Sequence, residues 1–117
     1  MVTLCNGLKK IGAEACARCT SLKKIQIPST VEVIEAKSFL KCKLMTNVTL
    51  HKGLKTIGNS AFYTCSWLET IDLPSTVKMI GDCAFYKCTM VRRVTLCEGL
   101  VSIGQWAFAC TSLRRSK

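Results

Sequence analysis

Acidic side chains are scarce in this chain: seven Asp and Glu stand against 17 Lys and Arg, a formal charge of +10. That balance favours polyanionic partners, whether nucleic acid, an acidic protein or an anionic surface. Histidine is nearly absent, with His51 alone. A zinc site needs four ligands, and the one CxxC, Cys16 to Cys19, has no second CxxC and no nearby His to complete it. No run approaches the ~18 apolar residues of a membrane-spanning helix. The opening MVTLCNGLKKIG lacks the apolar stretch of a signal peptide. The glycines follow neither GxGxxG nor GxxxxGK[ST], so no phosphate-cradling loop is expected. There is also no linker and no low-complexity segment.

What is present is repetition. Stepped by 23 from Val2, the chain reads as one array of five units: 2–24, 25–47, 48–70, 71–93 and 94–117. Odd units open VTL-x-x-GL and even units I-x-I/L-PSTV. Each begins with a short alternating, β-branched stretch such as Ile25-x-Ile27, which reads as a strand. A turn follows at Pro28-Ser29-Thr30, Pro74-Ser75-Thr76 or a glycine (residues 7, 53, 99). A second apolar pair comes next, as in Val31 with Ile34, usually ending in glycine. The unit closes on a segment such as SAFYTC, expected as a short helical turn because its Phe and Cys lie three apart. No unit can bury its apolar face alone. Stacked units can, with strands ~4.8 Å apart. The 49% hydrophobic content is enough to fill such a core.

The recurring string, L/V/M-x-x-I/V-x-I/L, then PST-V or GL, then IG-x-x-AF-x-x-C, resembles the BspA-like leucine-rich repeat family across all five units. The resemblance implies a right-handed leucine-rich-repeat solenoid: short parallel β-strands on one face, with turns and short helical turns on the other, in a single domain. It also implies a binding or adhesion role, often at cell surfaces. The chain departs from the pattern at several places. Thr30, Gly53 and Thr76 replace the usual Asn or Cys, Glu35 replaces a glycine, and Cys16 stands where other units have Phe39, Phe62, Phe85 and Phe108. The fifth unit is one residue short between Phe108 and Cys110. No capping unit is recognised.

Nine cysteines in so short a chain normally suggest a secreted disulfide scaffold. Here the repeat explains them differently. Cys19, Cys42, Cys65, Cys88 and Cys110 are expected in one stacked column, and Cys16 falls in the Phe column. Buried cysteine acts as a small hydrophobe. Redox use would instead need an exposed thiol of low pKa. Column neighbours lie within disulfide range, but parallel side chains make the required dihedral hard to reach. Cys5 and Cys97 share a column at ~19 Å, too far to bridge. Cys83 is expected near the surface. Unpaired thiols favour a reducing, intracellular compartment; a cell-surface location would follow if an upstream part were missing.

His51 is expected as a solvated turn residue; Asp72 lies one rung away, with no Ser or Cys to complete a catalytic set. Trp67 and Trp106 are expected to cover core edges, with exposed contact aromatics as the alternative. On the strand face the outward residues are Lys24, Asn47, Thr70, Arg93 and Arg115 in one column. Thr3, Gln26, Thr49, Asp72 and Thr95 form the other. Cations gather towards the two ends of the array, with Lys23 and Lys24 at one and Arg92, Arg93, Arg114 and Arg115 at the other. These six residues are the candidate binding surface. Like charges on neighbouring rungs repel, so stability does not account for them.

The leading function is therefore a non-enzymatic scaffold with a protein partner, without cofactor or metal. The alternative is a polyanion or nucleic-acid binder acting through the basic patches, although stacking aromatics are few. A Cys-based redox protein ranks last. End-to-end self-association, or membership of a longer parent array, fits the missing caps.

Overall fold

The computed structural model describes residues 2–3, 7–96 and 99–113, the first two by backbone alone. Its strands are β1 (Val2–Thr3), β2 (Lys10–Ile11), β3 (Lys24–Gln26), β4 (Val33–Ile34), β5 (Asn47–Thr49), β6 (Thr56–Ile57), β7 (Thr70–Asp72), β8 (Met79–Ile80), β9 (Arg93–Thr95) and β10 (Ser102–Ile103). Every pairing is parallel and joins residues 23 apart, as in Ile25 with Val48 and Ile34 with Ile57. The chain is thus a parallel β-solenoid, 40 × 30 × 20 Å overall.

Two ladders run along it. The expected one, from the first apolar stretch of each unit, comes in two parts, β1-β3-β5 and β7-β9, without paired strands between β5 and β7. The other is continuous, β10-β8-β6-β4-β2. It is built from the second apolar pair, where only two residues per rung are extended.

Alternation explains which side faces in. In β3, β5 and β7 the central Ile25, Val48 and Ile71 are buried while their neighbours are exposed. The core between the ladders consists of columns at the repeat spacing. Ile34, Ile57 and Ile80 form one, and Met45, Leu68 and Val91 another, all essentially without solvent contact. Phe39, Phe62, Phe85 and Phe108 stack in a third with centroids 5.1–5.2 Å apart and planes within 7°.

The remaining face is not helical; among the described residues there is no helix. The short helical turns expected there are replaced by tight turns with left-handed residues, Lys37 at φ 60 and Lys41 at φ 57. The reason is where the N–H groups go. Lys37, Phe39 and Lys41 donate to the next rung, to the carbonyls of Asn59, Ala61 and Tyr63 at 3.0, 2.8 and 2.7 Å. Only the intervening residues bond locally, Leu40 to Lys37 O and Cys42 to Phe39 O, both at 3.2 Å. An α-helix would need every N–H for its own i−4 carbonyl.

The glycine that closes most second strands lets rungs approach. A Cβ at Gly81 would lie 2.6 Å from Asn59 N and 2.7 Å from Gly58 C. Asn59 itself straps the rungs, its Oδ1 accepting from Asp82 N at 2.8 Å, and Asp82 Oδ1 accepts from Gln105 N at 2.8 Å. Where Glu35 replaces the glycine, the same rung carries Ser38 in a column otherwise alanine. Its buried hydroxyl lies within bonding distance of the Ile11, Gly12 and Glu35 carbonyls.

Candidate functional site

The cysteine column is a core element. Cys42, Cys65 and Cys88 have no solvent exposure. Each thiol donates to a carbonyl of the preceding rung: Cys42 to Cys16 O at 3.0 Å, Cys65 to Phe39 O at 3.1 Å and Cys88 to Phe62 O at 3.0 Å. Cysteine suits this place because it fills a small apolar space and still offers a weak donor. Burial pushes the Cys42 thiol up to about 11 and Cys88 to about 12, and raises Cys65 further. Cys16 is raised too, first by burial and then by the neighbouring Cys19. That is the opposite of what a nucleophilic or redox thiol requires. Cys83 is half-buried, near the surface as expected.

The expected fifth member of the column is corrected. Cys110 is exposed, and its backbone, at φ 59, matches Lys41, Thr64 and Lys87 at 57, 58 and 58, the residues just before the column. The register with the preceding rung therefore holds through Cys110, and the missing residue is taken up after it. Thr111 follows in the column's place, its hydroxyl donating to Phe108 O at 2.9 Å. Cys5 and Cys97 lie outside the described residues.

Lys23, Lys24, Arg92 and Arg93 are all exposed. Lys24 and Arg93 occupy equivalent outward positions of β3 and β9, three rungs apart, ~14 Å by ladder spacing. Thr46, Asn47, Glu69 and Thr70 separate the two pairs, so they do not form one patch. Arg114 and Arg115 fall outside the described residues.

Beside Arg92 and Arg93 the structure does assemble a surface. Around buried Leu68 the chain alternates, with Trp67 and Glu69 exposed on either side. The next rung repeats this with Met90 and Arg92 about buried Val91. Trp67 is 51% exposed and Met90 38%. With Thr46 and Glu69 they line an open groove of about 440 Å³. Glu69 is shared with a second groove of about 270 Å³, whose other walls are Thr70, Arg92 and Arg93. The backbone fixes this junction, Arg92 N donating to Glu69 O at 3.2 Å. Among the described residues the one ion pair within 4.0 Å is Lys55 with Glu32, so neither arginine lies within ion-pair distance of a described carboxylate, although Glu69 shares their groove. Trp67 and Trp106 are both exposed, at 51% and 61%, and Trp106 stacks on Tyr86. A sequence signal for the groove existed: Leu44, Trp67 and Met90 put large apolar residues at one repeat position on three consecutive units. His51, at a turn, is half-buried.

Two parallel ladders at a 23-residue offset, closed over a core of aliphatic and aromatic columns, define a leucine-rich-repeat solenoid. The chain belongs to the BspA type leucine rich repeat region family, whose model matches residues 9–117 in six copies. A leucine-rich repeat protein of T. pallidum is 29% identical with a TM-score of 0.92, the match covering 96% of this chain and 55% of that one. One from Bacteroides ovatus is 27% identical with a TM-score of 0.75, covering 93% and 34%. The pneumococcal vaccine antigen PcpA is 26% identical with a TM-score of 0.69, covering 93% and 28%. The chain therefore spans about half the length of the T. pallidum protein and less of the other two. No curated protein sequence matches it.

Proposed function

We propose that the chain is a non-enzymatic protein-binding scaffold whose contact surface is the paired groove around Glu69. The observation that carries this reading is an exposed Trp67–Met90 wall running into a second groove lined by Arg92 and Arg93. Interface hot spots are enriched in Trp and Arg, and large exposed apolar side chains gathered in one place mark interaction sites. The fitting partner is an extended protein segment that places an apolar side chain against Trp67 and Met90 and a carboxylate on Arg92 and Arg93. The family's repeat architecture supports a scaffold role.

Selection of peptides from a random display library, followed by calorimetry of the winners, tests it. Selected peptides should carry an apolar–acidic pair, and Trp67→Ala should weaken them by about 2 kcal/mol. Peptides lacking that pair, or bound equally by Trp67→Ala, would sink the reading.

A second contact is supported at the C-terminal side of the array, where Val101 and Ile103 are 76% and 46% exposed on and beside β10. This suits apposition of another repeat there, from a second copy or a longer array. Sedimentation of the chain with Val101→Lys and Ile103→Lys would show whether self-association depends on that surface.

A further inference from the structure

The turn face carries a charged column that the strand-face reading overlooks. Arg18, Lys41, Thr64 and Lys87 occupy one repeat position on four successive rungs. All four are left-handed, at φ 57–60, and the three cations are exposed. Each backbone N–H is tied to the next rung: Arg18 to Leu40 O at 2.6 Å, Lys41 to Tyr63 O at 2.7 Å, Thr64 to Tyr86 O at 2.7 Å and Lys87 to Ala109 O at 3.0 Å. The column is therefore rigid, with rungs ~4.8 Å apart. No acid stands in it, and none of its cations makes an ion pair within 4.0 Å among the described residues. Arg18 and Lys41 are like charges on neighbouring rungs, and an anion laid along the column would relieve their repulsion.

The column runs beside an aromatic ladder. Tyr63 stacks on Tyr86 at 5.3 Å, and Tyr86 on Trp106 at 6.1 Å. Lys87 Nζ lies 5.6 Å from the Tyr86 ring centre. These rings face one another along the solenoid axis, so Tyr86 is covered on both faces and a nucleic-acid base could stack only at an end of the ladder, not rung by rung as single-strand binding requires. We propose that the Arg18–Lys41–Lys87 column binds an anionic glycan chain laid along the solenoid axis, its charged groups meeting the cations on the first, second and fourth of these rungs. Preformed spacing lowers the ordering cost of such binding.

A heparin octasaccharide, titrated calorimetrically into the full chain over a range of salt, is the test. One variant combines Arg18→Asn, Lys41→Asn and Lys87→Asn; asparagine tolerates left-handed backbone. The comparison variant removes the same charge from another column, with Lys9→Gln, Lys55→Gln and Lys78→Gln. The first should bind about tenfold more weakly and with a shallower salt dependence. The second should stay within about threefold of the parent, the change expected from net charge alone. Equal losses in the two variants, or an undetectable parent affinity, would overturn the proposal. So would an oligothymidylate of equal charge that binds the parent more tightly than the glycan and loses affinity with the same asparagine set. If the triple variant does not fold, Lys87→Asn alone is measured against Lys78→Gln, with the same ordering required.

Discussion

Replacing Phe62 by alanine probes the stacked core at its centre. Phe62 has no solvent exposure and lies between Phe39 at 5.2 Å and Phe85 at 5.1 Å, with planes 7° and 2° apart. Removing a buried phenylalanine costs about 3–5 kcal/mol in lost transfer energy and cavity formation. Each offset-stacked pair adds ~0.5–1.5 kcal/mol beyond burial, and two are lost here. A total of about 5 kcal/mol is expected, comparable to the whole stability of a small domain at ~5–15 kcal/mol. Phe108 is half-buried and stacks on Phe85 at 5.2 Å, with no ring described beyond it. Phe108→Ala should therefore cost about 2 kcal/mol. Urea unfolding followed by circular dichroism gives both values, and Phe62→Leu, at about 1.5 kcal/mol, serves if the alanine variant does not fold. A Phe62→Ala cost at or below that of Phe108→Ala would refute the continuous-column argument.

Other perturbations follow from the same geometry. Gly81→Ala forces a Cβ against the Asn59 and Gly58 backbone, whereas Gly12 has open space; the first should cost about 1–3 kcal/mol more than Gly12→Ala in matched urea melts. Cys16→Phe extends the ring column onto Phe39 and fills part of the 220 Å³ hollow lined by Leu8, Ile11, Ala15 and Cys16, so it should raise stability by about 1 kcal/mol. The buried thiols also set an alkaline limit. Their folded values, about 11 for Cys42 and about 12 for Cys88, lie above the ordinary 9.0. The unfolded chain then releases protons first as pH rises. Their contribution is full below pH 9 and lost progressively from about 9 to about 12. Unfolding free energy measured from pH 7 to 11 should fall above 9, and less steeply when Cys42, Cys65 and Cys88 are all alanine.

The solenoid and the inward columns were legible because Ile25-x-Ile27 and its copies alternate with the strand period and recur every 23 residues. The second ladder was less visible, since two extended residues such as Val33–Ile34 carry no periodicity of their own. The turn face misled for a definite reason. The i, i+3 spacing of Phe39 and Cys42 suits a helix and successive tight turns equally. The choice is made by N–H groups bonding 22 residues away, which no local pattern records. Cys110 misled similarly, because a one-residue deletion can be absorbed on either side of it and only the backbone register decides. For the contact surface, the excess of cations was readable. The join of Trp67, Glu69 and Arg92 was not, because it needs adjacent rungs placed side by side. Arg114 and Arg115 remain expectations from the sequence.

The cysteines give the most direct test of a scaffold against a thiol-chemistry protein. Native chain, purified without reductant, is exposed to a thiol alkylating agent at pH 8 and mapped by peptide mass spectrometry, then labelled again after unfolding. The account predicts early modification at exposed Cys110, none at Cys42, Cys65 or Cys88 until the chain unfolds, and complete labelling afterwards. Rapid native labelling of those three, or thiols that stay blocked after unfolding, would contradict it.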